Sequence, residues 1–136
     1  MENKNNYSKN FLDIYSNSHV SWGILFGLFF KYLNFDFWSG LYLSIILSVL
    51  WEIFENTEFI ICVYRKNYGN YTGDSFINIL GDILTTIIGY LFVQKTIYGS
   101  ILFLTITEIL LIPYKATILQ LSFGSLLKTK NLLFCL

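Results

Sequence analysis

Charged residues are scarce in this chain of 136 residues: they make up 13% of it, against about 25% in soluble globular domains. The formal net charge is zero, so no basic surface attracts a nucleic acid, and we expect no nucleic-acid partner. The single proline leaves long stretches free to be helical. Two cysteines, Cys62 and Cys135, lack the close spacing of a zinc site. These shortages argue against a soluble domain, a nucleic-acid-binding protein and a zinc module.

Hydrophobic residues are abundant instead, at 54% of the chain, and they are concentrated in a few stretches. A helix that crosses a bilayer needs about 20 largely apolar residues. Backbone groups in hydrocarbon must also be hydrogen-bonded within their own segment, which favours helices. The sequence therefore predicts an all-α, polytopic transmembrane bundle of four helices. The predicted helices cover residues 16–34, 38–64, 74–93 and 97–112.

The end of the chain carries one more apolar stretch, residues 116–127. It is short for a span, so we predict an interfacial or re-entrant helix, with a fifth span as the weaker alternative. The expected organisation is a polar N-terminal segment (1–15), a single transmembrane helical domain (16–127) and a C-terminal tail (128–136).

Lysine and arginine residues set the orientation, because cytoplasmic loops carry an excess of them. The predicted topology places seven basic residues on one side and two on the other. The larger group is Lys4, Lys9, Arg65, Lys66, Lys115, Lys128 and Lys130, and the smaller group is Lys31 and Lys95. We therefore expect a multi-pass integral membrane protein, surrounded by membrane lipids, with both termini in the cytoplasm.

The third apolar stretch contains polar side chains at helical spacing. Asp74, Asn78 and Asp82 follow one another at intervals of four residues, so they lie along one face of a helix. Ionisable groups within a membrane are costly and are candidate functional sites by default. Asp74 could instead cap the helix. Asp82 is two turns into the helix, beyond capping reach, and is the strongest single candidate.

The predicted topology brings further polar side chains to the same depth. His19 lies at the start of the first helix, and Glu108 lies near the end of the fourth. Near the end of the second helix, Glu52, Glu55 and Asn56 are at positions i, i+3 and i+4, which share a face. Because neighbouring helices are antiparallel, we expect these groups to meet the polar face of the third helix in the cytoplasmic leaflet.

Clustered carboxylates with one histidine suit a hard divalent cation such as Mg²⁺ or Mn²⁺. Such a cation could hold the phosphate of a lipid or lipid-linked substrate and stabilise the charge that develops on it. We predict Asp74, Asp82 and Glu55 as metal ligands and catalytic residues. His19 is the remaining catalytic candidate, as a general acid or base. The surrounding polar network is predicted to consist of Glu52, Asn56, Asn78 and Glu108.

Other functions are compatible with the same residues. The cluster could be a non-catalytic site that binds a lipid or drug, or that carries protons or ions. It could also be a purely structural network that specifies helix pairing, including pairing within a homo-oligomer. An interhelical hydrogen bond in a membrane contributes only about 0.6 kcal/mol on average, so packing alone does not explain so many carboxylates. An aspartic protease is disfavoured because Asp74 and Asp82 would lie about 12 Å apart along one helix.

Several short motifs resemble those of a group of uncharacterised bacterial integral membrane proteins, catalogued only as a domain of unknown function. The similarity covers about residues 11–112. The motifs are Ser18-His19-Val20, Trp51-Glu52-x-x-Glu55-Asn56, Gly73-Asp74-Ser75-x-x-Asn78-x-x-Gly81-Asp82 and Thr107-Glu108. The resemblance implies a membrane-embedded fold and gives no activity.

Two positions depart from that family's pattern. The family usually has a second histidine where this chain has Trp22, so a two-histidine metal site is not expected. It also usually has an Arg-Asp-Asn cluster where this chain has Lys115, Ala116 and Thr117. More distantly, the order of His, Glu and Asp motifs resembles VanZ-like membrane proteins, which are linked to glycopeptide-antibiotic resistance. That second likeness is an analogy at the level of the fold.

Overall fold

The computed structural model describes residues 8–13, 15–62 and 71–112, and all regular structure within them is helical. The predicted all-α class is therefore confirmed for this part of the chain. The predicted C-terminal helix (116–127) and tail (128–136) lie outside the described residues. A helical turn also covers residues 58–62. The four longer helices are α1 (Ser16–Tyr32), α2 (Phe37–Glu55), α3 (Phe76–Lys95) and α4 (Ile97–Leu111).

The helices differ in how well their lengths suit a membrane. Among the described residues, α2 with 19 residues and α3 with 20 are long and apolar enough to cross a bilayer. The helix α1 has 17 residues and α4 has 15, so both fall short of the roughly 20 residues of a full span. The structure thus supports two candidate spans, where the sequence predicted four.

Polar side chains at the helix starts explain the observed boundaries. The Asp36 carboxylate caps α2 by accepting hydrogen bonds from the backbone N–H groups of Trp38 (3.0 Å) and Ser39 (3.1 Å). The Ser75 hydroxyl caps α3 by accepting one from the N–H of Asn78 (3.2 Å). Asp74, predicted as the first residue of this helix, therefore lies just before the cap.

The second predicted helix (38–64) is interrupted at Asn56. The amide of this side chain donates to the carbonyl of Glu52 (3.0 Å), and its oxygen accepts from the backbone N–H of Asp74 (2.7 Å). The Thr57 hydroxyl donates to the carbonyl of Phe54 (2.7 Å) and so satisfies a second carbonyl group at the end of α2. The contact between Asn56 and Asp74 joins residues that are distant in sequence. A hydropathy pattern does not reveal such a contact, so the end of the helix at this point was not predicted.

The helices α1 and α3 run parallel and form the most extensive helix contact of the described residues. An early residue of α1 contacts an early residue of α3, as Ser16 does with Asp82, and a later one contacts a later one, as Gly27 does with Val93. This is the relation expected between the first and third helices of an up-down bundle.

The helix α2 runs antiparallel to α3. The Tyr90 hydroxyl donates to the carbonyl of Phe37 at the start of α2 (2.9 Å), whereas the Ser48 hydroxyl donates to Thr86 (3.2 Å). A later residue of α2 therefore meets an earlier residue of α3. As a result, the start of α1, the end of α2 and the start of α3 lie at the same level.

Glycine residues bring the backbones of α1 and α3 into contact. A Cβ atom added to Gly23 would overlap the carbonyl oxygen of Thr86, and one added to Gly89 would overlap the carbonyl oxygen of Val20. Small residues at helix interfaces permit such close approach in membrane proteins. The contact fixes how near the polar side chains of the two helices lie.

The described residues bury polar side chains and expose apolar ones. Thirteen buried residues are polar or charged, whereas six are hydrophobic. Large apolar side chains cover the outside of the helices, as at Ile53 (63% exposed), Ile88 (58%) and Leu110 (63%). Soluble proteins concentrate such side chains in their interior. An exterior of this kind requires an apolar environment or a covering partner.

We predict that Gly89→Ala destabilises the fold by about 1–3 kcal/mol, because the added methyl group overlaps the Val20 carbonyl oxygen. Without that contact, alanine in place of a helical glycine would stabilise by roughly 0.5–1 kcal/mol. Thermal unfolding in detergent, followed by circular dichroism, shows whether the substitution lowers or raises the stability of the fold. The control is Ile88→Ala at an exposed neighbouring position, where we expect a change within about 0.5 kcal/mol. A stabilised Gly89→Ala variant would contradict the observed packing.

Candidate functional site

Three ionisable side chains, one from each of α1, α2 and α3, meet in the interior. They are His19, Glu52 and Asp82, which are 7%, 3% and 4% exposed. The distance from His19 Nδ1 to Glu52 Oε1 is 3.6 Å, and that from His19 Nε2 to Asp82 Oδ2 is 3.8 Å. One potential ligand atom from each residue lies within 4.8 Å of the other two. We call this group the His19–Glu52–Asp82 cluster.

Glu52 points inwards because it ends a stripe of small residues along α2. The buried residues of this helix are Gly40, Ser44, Ser48 and Glu52, at intervals of four. Both carboxylate oxygens of Glu52 are buried and have no hydrogen-bond partner among the described residues. A buried carboxylate without hydrogen bonds is costly unless a proton or a cation compensates it, so these oxygens are available to such a ligand.

Asp82 is held in place by Ser16. The Ser16 hydroxyl donates a hydrogen bond of 2.6 Å to Asp82 Oδ1, while Oδ2 of the same carboxylate faces His19. The sequence predictions placed Ser16 at the start of the first helix but did not include it among the site residues. Its position three residues before His19 on α1 is the signal that could have indicated a role, since such residues share a helix face.

Asp13 in turn positions Ser16. Its carboxylate accepts hydrogen bonds from the backbone N–H groups of Tyr15 (2.7 Å) and Ser16 (2.9 Å) at the start of α1. Burial raises the pKa of Asp13 above its ordinary value, and the hydrogen bonds from Ser16 and Tyr15 offset part of that effect. Asp13 therefore orders the turn that carries the partner of Asp82.

Residues 8–13, which we call the covering segment, lie against the beginning of α3. The Asn78 amide donates to the carbonyl of Asn10 (3.0 Å), and the backbone N–H of Ser75 donates to the carbonyl of Ser8 (3.0 Å). Asn78, predicted as part of the polar network, thus holds the covering segment in place.

Asp74 belongs to a separate polar group. The Tyr71 hydroxyl donates to Asp74 Oδ1 (2.9 Å), and the Asn56 amide donates to Asp74 Oδ2 (3.1 Å). Both of its carboxylate oxygens are therefore hydrogen-bonded. Asn56 also links this group to the end of α2 through its bond to the Glu52 carbonyl. The group joins α2 to the start of α3 and is distinct from the His19–Glu52–Asp82 cluster.

The remaining predicted residues lie outside the cluster. Glu55 is half-buried and ends α2, three residues beyond Glu52 and off its buried stripe. Glu108 is half-buried in the last turn of α4. The predicted metal ligands were Asp74, Asp82 and Glu55. Among the described residues, the side chains that converge are Asp82, Glu52 and His19, so Asp82 alone belongs to both sets.

Residues 1–123 match the profile of a family described as "Protein of unknown function (DUF2585)". The UPF0314 protein of Brucella anthropi is 35% identical over 92 residues, which cover 65% of this chain and 47% of that relative. The UPF0314 protein R03235 of Rhizobium meliloti is 36% identical over 92 residues, with coverage of 65% and 47%. The UPF0314 protein Atu8092 of Agrobacterium fabrum is 33% identical over 92 residues, with coverage of 65% and 46%.

The chain spans about half the length of these curated relatives. No solved structure matches it significantly. The expectation of an uncharacterised family is confirmed, because the family profile covers most of the chain. The protein belongs to the DUF2585 family of proteins of unknown function.

Proposed function

We propose that this protein is a multi-pass integral membrane protein whose His19–Glu52–Asp82 cluster binds a divalent cation and acts on a lipid or lipid-linked phosphate. The observation that carries the proposal is the Glu52 carboxylate, which is buried without a hydrogen-bond partner among the described residues and lies beside His19. Removing a charged carboxylate from water is costly unless a cation or proton compensates it. A divalent cation would compensate Glu52 and Asp82 together.

The membrane location is supported by the distribution of side chains. Apolar residues cover the outside, polar residues fill the inside, and α2 and α3 each suffice for a span. In a bilayer, α1 and α4 would complete four spans, with local thinning of the bilayer to match their shorter lengths. Lys31 and Lys95 lie in the last turns of the parallel helices α1 and α3, where they can reach the same interface.

The donor set favours a cation that accepts nitrogen as well as oxygen. Carboxylates alone suit Mg²⁺, whereas an imidazole nitrogen extends the preference towards Mn²⁺ and Zn²⁺. A cation at this position would hold a phosphate oxygen and offset the negative charge that develops in transfer or hydrolysis. Ser16 would keep Asp82 Oδ2 directed at the site through its bond to Oδ1. Such outer partners orient ligands and tune affinity.

A non-catalytic function in proton transfer is the alternative, and one observation favours it. The two ring nitrogens of His19 face different carboxylates, Glu52 on one side and Asp82 on the other. An imidazole between two carboxylates can accept a proton on one nitrogen and release one from the other. A purely structural network, a homo-oligomer and the link to VanZ-like proteins also stay predictions.

We predict that the purified protein binds about one Mn²⁺ ion per chain. Asp82→Asn and Glu52→Gln should each weaken binding by about 100-fold or more, since even outer-shell partners of a metal site contribute roughly 10- to 100-fold. Electron paramagnetic resonance of free and bound Mn²⁺ measures the affinity directly.

The matched control for metal binding is Asp74→Asn, which removes a carboxylate charge from the neighbouring group with Asn56 and Tyr71. We expect its Mn²⁺ affinity to fall by less than about tenfold, because its hydrogen-bond partners lie outside the cluster and it acts on Glu52 and Asp82 only through its charge. A wild type that binds no Mn²⁺, with folding intact, would favour the proton-transfer alternative. Equal losses in Asp74→Asn and Asp82→Asn would contradict the separation of the two groups.

The proposed topology predicts where reporter proteins function in a bacterial host. Alkaline phosphatase inserted after Asn34, between α1 and α2, should be active because that connection lies outside the cytoplasm. Green fluorescent protein fused to the C-terminus should fluoresce because this end lies in the cytoplasm. Fluorescence from an insertion after Asn34, with no phosphatase activity there, would reverse the orientation.

A further inference from the structure

An apolar cavity of about 380 Å³ lies beside His19, between α1 and α2. Its volume falls within the roughly 300–1,000 Å³ that is typical of small-molecule sites. The cavity is open along one side, as the partial exposure of Leu47 (40%) and Phe54 (44%) shows. Its lining consists of six apolar residues, Trp22, Phe26, Leu47, Leu50, Trp51 and Phe54, and three polar ones, His19, Ser48 and Thr86.

The polar residues of this lining direct their hydrogen-bond donors elsewhere. The Ser48 hydroxyl donates to Thr86, and the Thr86 hydroxyl donates to the backbone carbonyl of Asp82 (3.0 Å). The ring nitrogens of His19 face the carboxylates of the cluster. The cavity wall therefore offers an occupant mainly apolar contact, which suits hydrocarbon and not a polar ligand.

The residues that line the cavity extend along both α1 and α2, and the cluster lies near one end of this lining. On α1 its lining extends from His19 to Phe26, and on α2 from Phe54 back to Leu47. Each run covers eight residues, or about 10 Å along a helix axis. Because α1 and α2 are antiparallel, both runs start near the level of the cluster and lead away from it. An occupant would have a linear apolar body and a polar end at His19.

We propose that this cavity binds one hydrocarbon chain of a phosphate-bearing lipid, whose phosphate lies at the His19–Glu52–Asp82 cluster. The position of the phosphate rests on the function proposed above, and charge complementarity supports it, since a cation between Glu52 and Asp82 attracts an anionic headgroup. The position of the chain rests on the shape and lining of the cavity. The lateral opening allows the chain to enter from the surrounding membrane without crossing a polar layer.

Tryptophan fluorescence tests this inference in the full-length protein. The chain has three tryptophans, and Trp22 and Trp51 line the cavity. In a Trp38→Phe background, a single-chain alkyl phosphate brominated at its terminal carbon is titrated into protein in unbrominated detergent with Mn²⁺. We expect quenching that saturates at about one molecule per chain. The alcohol of the same chain should bind at least about tenfold more weakly, because it lacks the anionic group.

Two aromatic substitutions on α2 provide the matched comparison. Leu47→Phe fills the far end of the cavity and should weaken quenching by about tenfold, because it excludes part of the chain from apolar contact. Ile46→Phe adds the same group at an exposed position outside the lining and should leave the titration unchanged. Equal titrations of the two variants, or quenching that never saturates, would overturn the inference.

The remaining outcomes separate this inference from the proposed function. Mn²⁺ binding without saturable quenching would overturn the chain site and leave the metal site intact. Saturable quenching that Leu47→Phe weakens, in a protein that binds no Mn²⁺, would support the chain site and reject the metal-assisted function. Equal affinity for the phosphate and the alcohol would overturn the assignment of a phosphate-bearing lipid. Quenching that falls as protein concentration rises would show that a second copy occupies the cavity, and would also overturn it.

Discussion

Backbone contact between α1 and α3 is the constraint on which the rest of the structure depends. Gly23 and Gly89 leave no side chain between these helices, so the carbonyl oxygen of one helix packs against the glycine of the other. His19 lies one turn before Gly23, and Asp82 lies one turn before Thr86. Because the helices are so close, His19 Nε2 and Asp82 Oδ2 are 3.8 Å apart. A wider separation would admit a larger side chain but would move the imidazole out of reach of the carboxylate.

The consequence of this contact is an interior that concentrates ionisable side chains under an apolar exterior. Glu52 enters the same space from α2, at the end of its stripe of small residues, and its oxygens have no hydrogen-bond partner among the described residues. Two buried carboxylates beside one imidazole are poorly explained by packing, since an apolar interior would avoid their desolvation cost. A bound cation would compensate them, and the apolar cavity beside His19 would bring a hydrocarbon chain to the same place. Chain and headgroup would thus be recognised by adjoining but separate parts of α1 and α2.

Sequence patterns predicted that carboxylates and a histidine would meet in the candidate site, but they did not identify every residue that takes part. The helix α1 begins at Ser16, as predicted from the length of a membrane span, since the apolar stretch that starts at Val20 is too short for one by itself. Asp82 was predicted as a site residue because an ionisable group is costly within an apolar stretch. His19 was predicted because the expected topology brings it to the same depth. The choice of Glu55 over Glu52 depended on how α2 is rotated about its axis, and Gly40, Ser44 and Ser48 were the overlooked signal. The helix pitch already predicted that Asp74 and Asp82 lie far apart. The hydrogen bonds of Asp74 to Asn56 and Tyr71 could not be predicted, because Asn56 is distant in sequence.

Anomalous diffraction from crystals grown in lipid with Mn²⁺ tests the central claim most directly, because it locates the metal without relying on activity. The account predicts one strong anomalous peak, bounded by one imidazole nitrogen of His19 and carboxylate oxygens of Glu52 and Asp82, at the distances of about 2.0–2.2 Å usual for divalent ions on nitrogen and oxygen ligands. A well-ordered cluster with no peak, or a peak held by Asp74 and Glu55 instead, would contradict it.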